Sequence, residues 1–350
     1  MKINVVLPFF PKKPVGGIKI MYQYADLLSG KGHEVIIYHT RTLKYSPSKF
    51  LNPLRIIKNK LNKDISIPEW FTFKNKIDSR LINRITDTEI EDGNVILSTL
   101  YATALEVSEL SLSKGIKYNF IQDNETWISD EKTLIRSYKL PIKHIVINDY
   151  LFNLVRKVSI YKPILIYNAI DTEIFKITEP IINRNNESVC MMYSEEKRKG
   201  SKYGLEALMI CKEKHPNLKI TFFSVYPQPK NLPEWISYYQ SPKNLIDIYN
   251  KSAIYFTPSI GEGWALPPAE AMNCGCALIC TNIGGHAAYA IDNQTALLTK
   301  NMNSNDMAEK LLNLIENNEK RISIASEGNK YIKKFTWENS INLLEDVLKN

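Results

Sequence analysis

Short apolar segments alternate with segments of helical hydrophobic spacing along most of the chain. This alternation is typical of parallel sheets in which each strand is followed by a helix. In the first half, helical spacing is clearest in Ile18–Leu28 and Thr103–Leu112. The strands predicted there are Ile3–Leu7, Glu34–Tyr38, Val95–Ser98, Tyr118–Ile121, His144–Ile147 and Ile164–Tyr167.

The second half repeats the pattern. Its predicted strands are Val189–Tyr193, Lys219–Ser224, Ala253–Pro258 and Ala277–Thr281, and its predicted helices are Tyr203–Lys212, Asn244–Asn250 and Pro267–Asn273. Residues 168–186 between the halves are polar and contain Pro180, as expected of a linker. The sequence therefore predicts an α/β protein with two Rossmann-like, doubly wound domains facing a central cleft. Ligand-binding residues are expected on loops that follow strands.

Length and composition fit two folded domains and an anionic partner. The chain has 350 residues, of which 44% are hydrophobic and 23% charged, so a packed core is expected. The net charge of +8 favours nucleotide phosphates, a phospholipid surface or nucleic acid as partner. The five cysteines lack paired metal-ligand spacing, so we expect neither a zinc site nor a disulfide framework, and a reducing compartment fits best.

Two features argue against membrane insertion. The apolar segment at the N-terminus, Met1–Pro8, is too short for a signal peptide and lacks a cleavage site of small residues. No segment reaches the ~18 apolar residues of a membrane span. We therefore expect a cytoplasmic protein that is soluble or attached only at a membrane surface.

The most informative segment is Gly261–Met272, which holds two glutamates. Glu262 lies in a glycine-flanked loop after a predicted strand, and Glu270 lies in a helix introduced by two prolines. Carboxylates beside amides at a helix N-terminus suit a ligand that carries both phosphates and hydroxyls. Glu270 is predicted to accept hydrogen bonds from two ribose hydroxyls. Glu262 would hold a transferred sugar and its phosphates together with backbone N–H groups, which belong to Gly263, Trp264, Ala265 and Leu266.

Two further loops carry candidate phosphate contacts. Gly16-Gly17 follows the first strand and precedes a helix predicted to start near Ile18, so a bulky anion can approach the backbone there. Lys197–Ser201 follows the first strand of the second half, where a cation would neutralise a diphosphate leaving group. The simpler interpretations are a flexible turn and a solvated charge cluster. No G-x-G-x-x-G fingerprint occurs, which argues against a nicotinamide dehydrogenase.

Together these segments resemble the family 4 glycosyltransferases, which belong to the glycosyl transferases group 1 and share the GT-B fold. The residues 259–298 resemble the family's donor-binding stretch, and Gly16-Gly17 its first glycine loop. The other matching segments are Asn168-Ala169-Ile170-Asp171 with Phe175, which resembles the entry into the second domain, Lys199-Gly200, and Phe335-Thr336-Trp337 at the start of the closing helix.

The resemblance implies an acceptor-binding domain at 1–166, a donor-binding domain at 167–334 and a helix at 335–350 that packs back toward the first domain. It implies that Lys199 contacts the donor diphosphate, Glu262 the sugar and Glu270 the ribose. Transfer would proceed with retention and without a metal or other cofactor, and the absence of any D-x-D triplet is compatible with this.

The chain departs from the family pattern at three places. Ser194 stands where an arginine is usual, and Arg198 is the predicted substitute at the diphosphate. Ala288 replaces an acidic residue three positions after Gly284-Gly285, and His286 in that loop is predicted either to contact ligand or to cap a local turn. The segment Gln122-Asp123-Asn124-Glu125 replaces the usual His-Asp. Asp123 is a candidate acceptor contact or base, or alternatively part of a surface turn.

Residues 41–63 form a basic segment without any acidic residue. Its leucines and isoleucine at helical spacing predict an amphipathic helix, which suits an anionic membrane surface. The alternative is a solvated helix whose apolar face packs on the first domain. No recognised nucleic-acid-binding motif surrounds the segment, so nucleic acid is not expected as a partner.

The leading prediction is a retaining glycosyltransferase (EC 2.4) that transfers a hexose or deoxyhexose in bacterial surface-polysaccharide biosynthesis. The donor would be a UDP-, GDP- or dTDP-sugar and the acceptor a glycan or lipid-linked saccharide, used at the inner face of the cell membrane. The predicted catalytic residues are Glu262, Lys199 and Asp123. The alternatives are a sugar-nucleotide epimerase or inverting transferase on the same fold, and a catalytically silent partner subunit of a transferase.

Overall fold

The computed structural model describes residues 1–45 and 67–350, which form two compact units. Unit 1 comprises Met1–Asn168 and Glu338–Asn350, and unit 2 comprises Ala169–Trp337. Helices are numbered below in chain order among the described residues.

Unit 1 is built on a seven-stranded parallel sheet of order β3-β2-β1-β4-β5-β6-β7. The strands are β1 Lys2–Leu7, β2 Glu34–Thr40, β3 Asp78–Ile82, β4 Val95–Ser98, β5 Ile116–Ile121, β6 Lys143–Val146 and β7 Ile164–Leu165. The helices of this unit are α1 Gly16–Gly30, α2 Tyr101–Ser108, α3 Glu131–Tyr138, α4 Asp149–Arg156 and α10 Trp337–Lys349. The last of these begins at the junction of the two units.

Unit 2 is built on a six-stranded parallel sheet of order β10-β9-β8-β11-β12-β13. The strands are β8 Ser188–Met192, β9 Lys219–Ser224, β10 Ile236–Gln240, β11 Ile254–Thr257, β12 Ala277–Thr281 and β13 Ala296–Thr299. The helices are α5 Ser201–Lys214, α6 Leu245–Asn250, α7 Leu266–Asn273, α8 Ser304–Glu316 and α9 Asn318–Ile332.

The two sheets share one winding scheme. In unit 1 the strand order reverses between β1 and β4, and in unit 2 it reverses between β8 and β11. The central strands are apolar and buried because helices cover both faces of a doubly wound sheet. Loops that follow the strands on either side of a reversal diverge to opposite faces and leave a crevice at the carboxyl edge of the sheet. The predicted fold class of two doubly wound α/β sheets is confirmed.

Sequence reasoning missed three strands, and all three lie at sheet edges. They are β3 in unit 1 and β10 and β13 in unit 2. An edge strand is paired on one side only, so its sequence needs less apolar surface than a central strand. Strand β3 contains Asp78, Ser79 and Arg80, and β10 exposes Ser237, Tyr239 and Gln240. The helix predicted at Thr103–Leu112 begins earlier, at Tyr101, and ends at Ser108.

Helix α10 is fixed to unit 1 by charge and hydrogen bonds. The Glu345 carboxylate pairs with Lys31 Nζ at 2.9 Å and lies 3.1 Å from His33 Nε2. The hydroxyl of Tyr118 donates to the carbonyl oxygen of Val347 at 2.9 Å. The end of the chain therefore returns to the unit in which the chain began.

The predicted membrane-binding segment, 41–63, lies outside the described residues except for its first five positions. Among the helices that the structure describes, none is long and apolar enough to cross a membrane.

Candidate active site

Two loops meet at the strand-order reversal of unit 2. One follows β8 and ends at Gly200, and the other follows β11 and ends at the start of α7. Strands β8 and β11 are paired in parallel, with Ile254 beside Val189, so their carboxyl ends lie at the same sheet edge. This arrangement places Lys199 and Glu262 on neighbouring loops.

The loop after β8 is closed by a serine pair and a tight helical turn. Ser201 Oγ donates to the Ser194 carbonyl oxygen at 2.8 Å and accepts from the Ser194 N–H at 2.9 Å. Residues 197–199 form a single 3₁₀ turn, and Gly200 has φ +64°. Ser194 therefore binds the loop backbone at the position where the family 4 glycosyltransferases, which the sequence resembles, usually have an arginine.

Gly200 brings the two loops into direct contact. A Cβ atom at this residue would overlap with the carbonyl oxygen of Pro258 in the loop after β11. Beside it, the Ile260 N–H donates to the Arg198 carbonyl oxygen at 2.7 Å. Glycine is required here both by the left-handed conformation and by the close approach of the two backbones.

The Glu262 carboxylate is held by an ion pair with Lys199. Lys199 Nζ lies 2.7 Å from Glu262 Oε1 and 2.9 Å from Oε2. The Ser259 hydroxyl donates to Oε1 at 2.9 Å, and Arg198 Nη1 lies 3.5 Å from Oε2. The side chains of Lys199 and Glu262 are 15% and 7% exposed, so the pair is largely removed from water. The structure thus brings together three predicted site residues, Lys199, Arg198 and Glu262.

Burial and charge act in opposite directions on Glu262. Burial alone would raise the pKa of this carboxyl, but the Lys199 ammonium and the Arg198 guanidinium hold the pKa below its ordinary value of 4.5. A depressed carboxyl pKa means that the folded state binds fewer protons than the unfolded state. The contribution of Glu262 to stability is therefore present above about pH 4.5 and is lost as the pH falls through the folded-state pKa.

Glu270 occupies a different environment. It lies in α7, is buried, and its Oε2 accepts a hydrogen bond from the Tyr249 hydroxyl at 3.3 Å. Gly275, which follows the C-cap residue Cys274, has φ +86°, as expected for a glycine that terminates a helix. The two glutamates of the motif thus have separate supports, one ionic and one from a tyrosine hydroxyl.

The start of α7 offers fewer backbone N–H donors to the phosphates of a nucleotide sugar than a regular helix N-terminus would. Helix α7 starts at Leu266, and the next two residues are prolines, which have no N–H group. Ala265 is the N-cap residue, and its carbonyl oxygen accepts a bond from the Tyr289 hydroxyl at 3.0 Å. The amides of Gly263, Trp264, Ala265 and Leu266 remain the candidate donors in this stretch.

The side chain of Trp264 belongs to the core. Its ring packs edge-on against Tyr289 at a centroid distance of 5.1 Å and against Phe335 at 5.9 Å. The predicted contribution of Trp264 to donor binding therefore rests on its backbone.

His286 lies next to the Lys199–Glu262 ion pair. The sequence is compatible with two roles for it, contact with ligand or capping of a local turn. The imidazole is 1% exposed, and its Nδ1 lies 2.9 Å from the Thr281 carbonyl oxygen. Burial lowers its pKa, whereas the Thr281 carbonyl and the charge of Glu262 act to raise it. The hydrogen bond to Thr281 agrees with the turn-capping alternative. It involves only Nδ1 and gives the second ring nitrogen, Nε2, no role.

In unit 1, the predicted site residues follow strands β1 and β5 at the carboxyl edge of the sheet. Gly16 and Gly17 are the first residues of α1, two positions earlier than the predicted helix start. Gln122 Nε2 donates to the Gly17 carbonyl oxygen at 3.0 Å and to Thr99 Oγ1 at 3.1 Å. Asp123 follows in the same loop and is half-buried. The donor contact of the glycines and the acceptor role of Asp123 remain predictions.

Glu125 is a buried carboxyl whose burial the sequence did not predict. Its Oε2 accepts a hydrogen bond of 2.8 Å from the Tyr101 N–H at the start of α2. Burial raises the pKa of Glu125 to about 8, and the charge of Asp123 acts in the same direction, against the effect of the Tyr101 bond. The polar sequence Gln-Asp-Asn-Glu resembles an exposed turn, and only the packing of α2 and α3 around it shows otherwise.

We expect Glu125→Gln to change how stability depends on pH. The folded wild-type protein retains a proton that the unfolded chain releases above about pH 4.5, so its stability falls as the pH rises toward 8. Glutamine keeps an acceptor for Tyr101 and does not titrate. The variant should gain on the order of a few kcal/mol on the wild-type protein between pH 5 and pH 8, as measured by urea unfolding. Glu131→Gln, at an exposed position, is the control, and parallel pH curves for wild type and Glu125→Gln would contradict the prediction.

No group of three or more histidine, cysteine or acidic side chains that would suit a metal ion occurs within residues 1–45 and 67–350. All five cysteines are buried free thiols.

Comparisons with known proteins give a family match in the second half of the chain. Residues 174–331 match the model of the family described as glycosyl transferases group 1. An uncharacterized glycosyltransferase of Methanocaldococcus jannaschii is 36% identical over 91 residues, which are 26% of each chain. D-inositol 3-phosphate glycosyltransferase of Rhodococcus jostii is 31% identical over 107 residues, which are 30% of this chain and 24% of that protein. The aligned regions thus span about a quarter of the length of these relatives.

Solved structures match over the full chain. Sucrose-phosphate synthase from Thermosynechococcus elongatus superposes with a TM-score of 0.72 at 14% identity, covering 100% of this chain and 98% of the other. Anabaena HepE, crystallised in complex with UDP, gives a TM-score of 0.73 at 13% identity with full coverage of both chains. This chain has the GT-B glycosyltransferase fold. The family match lies in the second half of the chain, and both of the sequence relatives above are named glycosyltransferases.

Proposed function

We propose that this chain is a retaining, metal-independent glycosyltransferase of family 4 that uses a nucleotide sugar as donor. Its acceptor would be a glycan or lipid-linked saccharide of a cell-surface polysaccharide. A UDP-sugar is the favoured donor because HepE, which shares the fold, was crystallised with UDP and with UDP-glucose.

The observation that carries this proposal is the buried Lys199–Glu262 ion pair at the strand-order reversal of unit 2. Each member of the pair suits one part of a nucleotide sugar: an ammonium suits a diphosphate, and a carboxylate suits sugar hydroxyls. The cost of keeping two charges out of water is offset in the substrate-free protein by their mutual contact. A bound donor would replace that contact with one partner for each charge.

The proposed reaction is a front-face displacement at the anomeric carbon. The acceptor hydroxyl oxygen bonds to the anomeric carbon on the face from which the phosphate departs, and the bond from that carbon to the phosphate oxygen breaks. The acceptor proton passes to the departing phosphate oxygen. Lys199, Arg198 and the amides after Gly263 would stabilise the charge that develops on the diphosphate. Glu262 is assigned to the sugar hydroxyls in this proposal, and no covalent intermediate is included.

The acceptor side is assigned to unit 1, with Asp123 as acceptor contact or base. Residues 41–63 would bring the protein to the anionic inner face of the cell membrane, where a lipid-linked acceptor is available.

The stereochemical outcome tests the proposal directly. We expect proton NMR of the product to show the same anomeric configuration as the donor, and EDTA to leave the rate unchanged. An inverted product would favour the inverting alternative, and an epimerised nucleotide sugar the epimerase. Donor binding without any turnover across a panel of acceptors would favour a silent partner subunit.

We expect Glu270→Ala to weaken UDP binding by about 1–3 kcal/mol, because it removes the proposed acceptor for the ribose hydroxyls. Isothermal titration calorimetry with UDP measures this effect directly. Glu270→Gln retains the volume and an acceptor for Tyr249, so it separates loss of charge from loss of packing. Glu213→Ala on the exposed face of α5 is the control. UDP affinity equal to that of wild type in both Glu270 variants would remove the ribose assignment.

A further inference from the structure

His286 holds an acceptor that no other described group uses. Its Nδ1 lies against a carbonyl oxygen, which only accepts, so Nδ1 carries the ring proton and donates it to Thr281. The second nitrogen, Nε2, therefore presents a lone pair. Within the described part of the chain, no donor reaches Nε2.

His286, which carries this lone pair, belongs to the same network of contacts as Glu262, the candidate contact of the donor sugar. A Cβ atom at Gly285 would overlap with the backbone of Glu262, so the peptide directly before His286 packs on that residue. The charge of Glu262 acts to raise the pKa of the imidazole, and the charge of Lys199 acts to lower it. The Thr281 hydroxyl in turn donates to the carbonyl oxygen of Ser259, whose own hydroxyl donates to Glu262. His286 is thus fixed to the two loops that hold the ion pair.

We propose that His286 is a specificity-determining residue for the donor sugar, with Nε2 accepting a hydrogen bond from one hydroxyl of the transferred hexose beside Glu262. This inference rests on the proposed function. A buried acceptor without a partner costs free energy, and a substrate hydroxyl that supplies the partner recovers it. Nε2 is buried in the substrate-free protein, so the packing around it must open when the donor binds for a hydroxyl to reach it.

The proposal narrows the donor class. A site built to bond a substrate hydroxyl rejects an analogue that lacks it, because the buried polar group is then left unpaired. The donor is therefore a hexose that carries a hydroxyl at the position facing His286, and a sugar that is deoxy at that position is a poor donor.

Two variants of His286 separate the acceptor from the ring. His286→Phe keeps a planar ring and removes Nε2, whereas His286→Gln keeps an amide oxygen within reach of the same region. We expect His286→Phe to weaken binding of UDP-glucose about 10- to 100-fold and to leave UDP affinity unchanged, with partial recovery in His286→Gln. The same calorimetric titrations are run with the monodeoxy analogues of UDP-glucose. One analogue should bind wild type poorly and bind His286→Phe as well as UDP-glucose does.

His144 provides a matched control in unit 1. It is also fully buried, its Nε2 lies 2.9 Å from the Tyr138 carbonyl oxygen, and its Nδ1 has no partner among the described residues. His144→Phe should lower the melting temperature without changing the preference for UDP-glucose over UDP. Equal losses for UDP and UDP-glucose in His286→Phe, or no loss at all, would overturn the His286 proposal alone. Wild-type protein that binds neither ligand would overturn the proposed function as well.

Discussion

Lys199→Met should reduce sugar transfer by about 10²–10³-fold, the loss expected when one charge-stabilising donor is removed from an active site. It should also destabilise unit 2 by about 3–5 kcal/mol, because the Glu262 carboxylate is left buried with its closest cation removed. Initial rates with a UDP-sugar donor and urea unfolding curves measure the two effects.

The double variant Lys199→Met/Glu262→Gln distinguishes stability from catalysis. Removing both charges leaves no uncompensated ion, so most of the lost stability should return, since a buried pair is often replaceable by neutral groups at little cost. Transfer should stay low, because neither the cation for the diphosphate nor the carboxylate for the sugar is restored. Recovery of both properties in the double variant would show that Lys199 is needed only to neutralise Glu262.

Lys202→Met is the matched control for Lys199. This lysine is the second residue of α5, is 82% exposed, and contacts Glu206 at 3.9 Å. An exposed pair of this kind contributes little to stability. Neither the rate nor the unfolding midpoint should change, and a loss of activity similar to that of Lys199→Met would indicate a general charge effect.

Central strands and their following loops were predictable from the sequence because burial on both faces demands continuous apolar segments. Strand β12 was predicted with its observed ends, and β11 to within one residue at each end. Edge strands obey a weaker requirement, and β3 and β10 were missed for that reason, whereas β13 is apolar and largely buried and its omission has no such explanation. The same rule placed Lys199 and Glu262 on loops after strands, which is why both were found.

The contact between Lys199 and Glu262 could not be predicted from the sequence. The residues are 63 positions apart, and their meeting depends on the pairing of β8 with β11 and on a glycine with positive φ. Sequence reasoning gave each residue a ligand and did not foresee that each would hold the other in the substrate-free protein. Ser259 and His286 were missed or left open for a similar reason, because their roles depend on hydrogen bonds across two loops.

Under the proposed function, the network around Glu262 compensates for two departures from the family 4 pattern. Ser194 supplies no positive charge at the position where an arginine is usual. Arg198, however, lies 3.5 Å from the Glu262 carboxylate and 2.8 Å from that of Glu196. Two cations therefore remain beside the proposed diphosphate position. Ala288 replaces the acidic residue that is usual three residues after the glycine pair. The neutral His286 imidazole of the same loop is buried against the same network.

The geometry of Gly200 predicts the second large effect. Gly200→Ala should destabilise unit 2 by about 2–5 kcal/mol, which combines the cost of a left-handed conformation with that of overpacking against Pro258. Relief of the clash requires the loop after β8 to move away from the loop after β11. We therefore expect the variant to lose UDP affinity as well, even under conditions in which it remains folded.

Gly261→Ala is the control, since this glycine lies one residue before Glu262 and a Cβ atom there meets nothing within 4 Å. Both variants add one methyl group to the loop pair, but only Gly200→Ala forces the loops apart. Thermal unfolding and calorimetric titration with UDP on the two variants isolate that difference. If Gly200→Ala binds UDP as tightly as Gly261→Ala, the spacing of the two loops does not control the nucleotide site, and the ion pair between them cannot be the feature that a donor replaces.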